Sequence, residues 1–310
     1  MTDPGDRLGA GQPDFVVIGA QKSASTFLQD QLAQHPQVEI AEGEVRAFED
    51  PFYSPEAVAS LPRLFSGDAS VTARGIKRPD YLGRPEVAQR LRRHLPDARL
   101  FAVLREPVAR AVSAYYHHVR HGFVPLMPLD DAFEALLAGR LVADYPRSAE
   151  ILDYGRYGAH LRRYLDLFPR DRLMVFEQKS LTADPAGSLR RAFEFLDVDP
   201  TFTPTTTSLV SNRGVYAPVR LRLLRTKNRF VYDYTPTLDR RRPRRPSPFG
   251  WAYNASVVAV DRLVLSRFDS GRPAELSRPV RARVSAYYDG DRALLADLVV
   301  DMPAADAAWL

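Results

Sequence analysis

Residues 15–32, FVVIGAQKSASTFLQDQL, decide the fold. They open on four residues of buried-strand character, Phe15, Val16, Val17 and Ile18. They then turn through Gly19, Ala20, Gln21, Lys22, Ser23 and Ala24, and from about Ser25 place Phe27, Leu28 and Leu32 at helical spacing. The helix is expected to stop near His35-Pro36. Strand, short polar turn with one lysine, helix N-terminus is how proteins build an anion site. Amides of the first turn and the positive end of the helix dipole point at whatever negative group sits there. A Walker-type loop reads G-x-x-x-x-G-K-[ST], with its hydroxyl residue on Mg²⁺. Here Lys22 comes three residues after the only glycine of the turn, and no GK[ST] occurs. The magnesium position is missing from the pattern, which points to a nucleotide whose transferred group needs no Mg²⁺. The competing reading is an ordinary strand–turn–helix with a surface lysine.

Outward from this unit, Val38–Ile40 is a short apolar stretch before the acidic turn Glu42-Gly43-Glu44, Leu100–Leu104 and Leu173–Phe176 read as strands, and Ile76–Tyr81 as extended chain because the residue before a proline avoids the helical region. Helices are expected over 86–94, from Pro107 to about Arg120, over 129–141, 157–168 and 188–196, with a last one over 280–298. Strands alternating with helices predict an α/β fold, a central parallel β-sheet flanked by helices on both faces, with a P-loop-like phosphate loop after the first strand. Residues 1–13 read as a disordered lead-in and 14–310 as a single domain. Within it, 216–279 is an arginine- and proline-rich elaboration, helical over 252–265. No repeat period is visible.

Hydrophobic residues at 45% and charged residues at 26% are ordinary globular values. No apolar run approaches the ~18 residues that would span a membrane. The polar N-terminus does not read as a secretory signal. Zero cysteines exclude disulfides, thiolate catalysis and cysteine metal sites. A cytoplasmic enzyme is the expectation. A net charge of +5 and a pI near 9.4 suit an anionic ligand without naming one. Lysine occurs only at Lys22, Lys77, Lys179 and Lys227; every other one of the 43 basic residues is arginine. Each lysine therefore merits inspection, since a compact point charge does not replace a guanidinium fork.

A second motif runs Arg105-Glu106-Pro107-Val108-Ala109-Arg110-Ala111-Val112-Ser113. Arg105 stands at the carboxyl end of the strand 100–104, where open α/β sheets bind ligands. Ser113 falls about two turns into the next helix, so arginine fork and serine hydroxyl can serve one phosphate. Taken singly, each also reads as a strand-end charge or as helix filler. His117 and His121 share a helix face, but there is no H-E-x-x-H and no third ligand, so they read as histidines of an amphipathic helix and no metal is expected. The run Arg240–Arg245 reads first as a solvated loop and second as a contact for an anionic acceptor; no nucleic-acid partner is expected.

Lys22-Ser23-Ala24-Ser25-Thr26 resembles the K-x-G-T-T phosphosulfate loop of sulfotransferases that use 3′-phosphoadenosine 5′-phosphosulfate (PAPS), departing from it at Ala24 and Ser25. The arginine and serine eight apart resemble that family's 3′-phosphate segment. Ser211-Asn212-Arg213-Gly214 is loosely similar to its late loop over the same phosphate. Glu44-Val45-Arg46-Ala47-Phe48 is similar to the E-V-H-F-F segment of the carbohydrate (heparan-type) branch, and Ile76-Lys77-Arg78-Pro79-Asp80-Tyr81 to its E-K-T-P-x-Y segment, without the leading glutamate. Tyr154–Tyr157 and 287–292 also resemble bacterial members of that branch.

The resemblance implies transfer of a sulfuryl group from PAPS to a hydroxyl of a carbohydrate or small molecule, leaving adenosine 3′,5′-bisphosphate, with no metal. It implies Lys22, Glu44 and Lys77 as catalytic residues and Ser23, Ala24, Ser25, Thr26, Arg105, Ser113, Arg213 and Gly214 as donor-binding ones. Chemically, a carboxylate at 44 would take the acceptor proton and a second cation at 77 would stabilise spreading negative charge. Glu44 also reads as part of a solvated acidic turn. A P-loop kinase-type phosphotransferase and a non-catalytic module binding a nucleotide or polyanion stand as alternatives. Acceptor and oligomeric state are not legible.

Overall fold

A computed structural model describes residues 11–205 and 214–298, apart from 239, 246 and 270. The expected lead-in 1–13 falls largely outside the described residues. The chain forms two compact units. The first comprises residues 11–106, 156–205 and 290–298, the second 107–155 and 214–289.

The first unit is built on five parallel strands, β1 (Phe15–Gly19), β2 (Val38–Ile40), β3 (Ala73–Lys77), β4 (Arg99–Leu104) and β5 (Leu173–Glu177), in the order β2-β3-β1-β4-β5. Val16 lies opposite Ile76 on one side and Leu100 on the other. Every residue of β1 is buried, as the middle strand of a sheet covered on both faces must be. Successive side chains leave a strand on opposite faces. Val16 and Ile18 accordingly join one core with Ile76, Leu91, Leu100 and Leu161. Phe15 and Val17 join another with Leu28, Phe101, Phe176 and Phe193. Helices Val87–His94 and Tyr157–Leu165 supply the first face, Ser25–Leu32 and Pro185–Phe195 the second. This is the expected α/β architecture; the short apolar stretch Val38–Ile40 is itself a strand, and the extended chain expected over 76–81 overlaps only the end of the strand Ala73–Lys77.

Asp291 lies far along the chain, yet its carboxylate accepts the Gly158 and Ala159 amides at 2.9 and 2.8 Å and so caps the helix that starts at Tyr157. Leu295 is buried in the same core. The expected single helix over 280–298 is in fact two, Arg278–Tyr287 and Asp289–Leu298. They part at Tyr288, whose buried hydroxyl donates to the Leu152 carbonyl at 2.9 Å.

The second unit is mainly helical and packs Pro107–His121, Leu129–Leu137, Pro218–Val231 and Arg278–Tyr287 around Tyr115, Phe133, Leu221 and Val284. It adds a two-stranded antiparallel ribbon, β6 (Tyr232–Tyr234) with β7 (Arg241–Pro243). The arginine run is therefore not wholly a solvated loop. Arg241 stacks on the Tyr232 ring at 4.1 Å, and Arg244 bonds Asp233 across the ribbon at 2.8 Å. The helix expected over 252–265 begins earlier and runs Pro248–Leu263, because the Ser247 hydroxyl accepts the Gly250 amide and Pro248 presets the first turn.

Candidate active site

The carboxyl end of β1 leads into the loop at 20–24 and the helix Ser25–Leu32, whose first-turn amides lack intrahelical acceptors. Gly19 is required by close approach: a Cβ there would lie 2.8 Å from Leu82 Cβ and 3.0 Å from the Pro79 carbonyl oxygen. Lys22 and Ala24 both adopt the left-handed conformation, at φ 67° and 70°. Ala24 is thus held where glycine is at ease, and an L-residue there costs roughly 1–2 kcal/mol. The Ser23 hydroxyl is buried and has no hydrogen-bond partner among the described residues. An orphaned buried donor beside a helix N-terminus suits an anion that would accept from it.

Strand β3 brings further groups to this loop. Lys77 is buried, and its ammonium donates to Thr26 Oγ1 at 3.1 Å. Burial lowers its pKa from the ordinary lysine value, against the pull of Glu44 and Asp30. Asp80 Oδ1 accepts from the Gln21 side-chain amide of the loop at 3.0 Å. The segment 41–45 runs beside β3, with the Ala41 amide on the Gly75 carbonyl at 2.9 Å and the Val45 amide on that of Lys77 at 3.0 Å. That pairing sets Glu44 beside Arg78, which hydrogen-bonds Glu44 Oε2 through Nη1.

Arg78 is the hub. Its Nε and Nη2 grip both oxygens of Glu49 at 2.8 and 2.9 Å, and Nη2 also donates to Asp80 Oδ2 at 2.7 Å. Burial alone would lower its pKa; Asp80, Glu49 and Glu44 outweigh that and raise it above the ordinary arginine value. Glu49 and Asp80 are almost inaccessible, at 2% and 6% exposure, whereas the Glu44 side chain is 41% exposed. Of the three carboxylates around Arg78, Glu44 is the one open to solvent. The acidic turn at 42–44 is therefore not merely solvated. Sequence reasoning misses Arg78, Glu49, Asp80 and Gln21; the arginine where the similar segment has threonine was the available signal.

On the β4 side, Arg105 Nη1 donates to the Lys22 carbonyl at 3.3 Å, so Arg105 leans on the loop. The first unit thus brings together Lys22, Ser23, Ala24, Ser25, Thr26, Glu44, Lys77 and Arg105. Ser113 and Gly214 belong to the second unit. Ser113 is buried on helix Pro107–His121, and its pairing with Arg105 rests on sequence spacing. Arg213 lies outside the described residues. His118 bonds the Ala114 carbonyl at 2.8 Å and Glu150 Oε2 at 3.3 Å. The His117 and His121 rings lie 4.2 Å apart. No group of three His, Cys, Asp or Glu suited to a metal occurs among the described residues.

A model of the sulfotransferase domain matches residues 12–213. The chain belongs to the sulfotransferase family. It is 29% identical over 194 residues to mouse heparan sulfate glucosamine 3-O-sulfotransferase 3B1, covering 61% of this chain and 47% of that protein. It is 28% identical over 211 residues to human bifunctional heparan sulfate N-deacetylase/N-sulfotransferase 2, covering 65% and 23%. The chain thus spans about half or less of these relatives' length. A solved sulfotransferase from Alicyclobacillus acidocaldarius superposes with a TM-score of 0.65 at 23% identity, covering 96% of this chain and 99% of that one, which shows a shared fold. No helix among the described residues is long and apolar enough to cross a membrane.

Proposed function

We propose that this sulfotransferase moves the sulfuryl group of PAPS to a hydroxyl of a carbohydrate or other small molecule. PAPS, when bound, supplies a sulfuryl group on a phosphate leaving group. The observation that carries the reading is the end of β3, which sets Lys77 on the loop residue Thr26 and Arg78 on Glu44. One strand end thereby holds both a buried cation and an exposed carboxylate next to an anion loop.

Ser23 Oγ, the hydroxyls of Ser25 and Thr26 and the first-turn amides hold the 5′-phosphate. Lys22 neutralises charge on the leaving oxygen. Lys77 meets the negative charge that spreads during transfer. Glu44 takes the proton of the acceptor hydroxyl as it attacks in line. Arg105 is assigned to the 3′-phosphate, following the sequence spacing. Heparan sulfate relatives support a sugar hydroxyl as acceptor. The cysteine-free chain is compatible with work in the cytoplasm.

Labelled-sulfate transfer from PAPS to a panel of hydroxyl acceptors tests the reaction. A melting-temperature rise with adenosine 3′,5′-bisphosphate but not with Mg-ATP separates it from a kinase. Glu44→Gln is expected to lower kcat at least 100-fold, the scale of a lost general base, while bisphosphate affinity stays within about twofold. Loss of binding in that variant would assign Glu44 a structural role.

A further inference from the structure

The helix Pro248–Leu263 turns an apolar face to solvent. From Pro246 to Val260 the chain contains no charged residue, although the outer face of a surface helix is ordinarily polar. Helical spacing puts Phe249, Ser256, Val260 and Leu263 on one stripe, away from Gly250, Val257 and Asp261, which are buried. Phe249 is 69% exposed and Leu263 64%; nearby in sequence, Trp251 and Phe268 are 70% and 80% exposed. The Phe249 ring packs against Phe230 at 6.1 Å and Tyr253 at 6.3 Å, which gathers these three aromatic side chains into one cluster.

Arginines bracket this stripe. Arg242 and Arg245 precede it, Arg262 and Arg267 follow its last turn, and all four are exposed. Residues 216–279 contain thirteen arginines and Lys227 against five acidic residues, a net +9 in a chain whose total is +5. We propose that this face of the second unit docks on an anionic lipid surface. Phe249, Val260 and Leu263 enter the boundary between headgroups and acyl chains, the exposed Trp251 of the first turn and Phe268 beyond the last turn lie at its edge, and the flanking arginines meet the lipid phosphates. Charge selects this occupant. A second copy of the chain would set these exposed arginines against their own counterparts. A nucleic acid would use the arginines and stack on aromatic rings, but gains nothing from Val260 and Leu263.

The test uses the full chain with Trp309→Phe, which leaves Trp251 as its one remaining tryptophan. It is mixed with vesicles of phosphatidylcholine, with or without phosphatidylglycerol. Expected are co-sedimentation with the anionic vesicles only, a blue shift of Trp251 emission, and weakening by salt. The double variant Phe249→Ser/Leu263→Ser should lower vesicle affinity at least about tenfold, the scale of two buried apolar side chains lost, with an unchanged melting temperature. Phe268→Ser gives the same reading without touching the helix. No vesicle binding, heparin or DNA binding without the emission shift, or a dimer that vesicles do not dissociate would each overturn the proposal.

Discussion

Arg78→Met removes the guanidinium that, among the described residues, grips both Glu49 oxygens and Asp80. Two carboxylates with 2% and 6% exposure then lose their closest cation, while Glu49 keeps Arg84 at 3.5 Å and the half-exposed Arg46 at 3.8 Å, and Asp80 keeps the Gln21 amide among its partners. Removing one partner from a buried ionic cluster costs ~3–5 kcal/mol, because the charges left behind stay out of water. At roughly 2–4 °C per kcal/mol for a chain of this size, the melting temperature should fall by about 6–20 °C. The triple variant Arg78→Met/Glu49→Gln/Asp80→Asn should recover part of the loss, since no carboxylate is then left charged out of water, although the two buried amides keep the smaller cost of polar groups that lose a partner. Glu44→Gln, at a 41% exposed side chain, should cost under about 1 kcal/mol. Thermal and urea melts of the four proteins measure all of this. A loss below ~1 kcal/mol for Arg78→Met, or no recovery in the triple variant, would refute the claim that Arg78 neutralises buried charge.

Ser23→Ala should leave the melting temperature of the free protein unchanged or raise it, because the hydroxyl has no partner to lose, yet calorimetry should show weaker binding of adenosine 3′,5′-bisphosphate. Ala24→Gly should stabilise the chain by ~0.5–1 kcal/mol, relief of a left-handed alanine outweighing the added backbone entropy; a destabilisation would contradict the loop conformation. In the second unit, burial raises the Glu150 pKa but His118 and Arg147 outweigh it and hold it well below the model-peptide 4.5. A depressed folded-state pKa means the unfolded chain binds the proton first as pH falls, so this stabilisation is complete above about 4.5 and is lost progressively below it. Glu150→Gln should therefore lose ~1–3 kcal/mol at neutral pH and lose progressively less as melts are run into acid. An equal loss at every pH would show that the effect is not ionic.

The architecture was legible because β1 and β4 are continuous apolar runs and the helices between them keep their spacing, so alternation alone implied a parallel sheet. The loop was legible because Lys22 follows a strand and precedes a helix. The ionic hub was not. In a chain whose cations are nearly all arginine, Arg78 does not stand out, and no hydrophobic period shows that Glu49 and Asp80 turn inward. Ala24 hid a left-handed position because the residue that usually marks one is absent. The start at Pro248 was obscured by the neighbouring prolines, although Ser247-Pro248 is a cap followed by a first-turn proline. The break at Tyr288 depends on a hydroxyl reaching Leu152, a tertiary bond with no local sequence sign.

Asp291 and Leu295 have a consequence for how the protein is made. The first unit draws on three separate stretches of chain, and its last stretch both caps the helix at Tyr157 and fills a place in the core beside β1. During synthesis, β1 leaves the ribosome well before residue 295, and the core the two share cannot be completed until residue 295 has followed. Over that interval the nascent chain must carry an unfinished hydrophobic sheet, with the sequence-distant pairing that slows folding and invites aggregation. A circular permutant that joins residues 290–298 ahead of β1 would deliver the cap and the core residue first, and should refold faster than the natural order of the same residues.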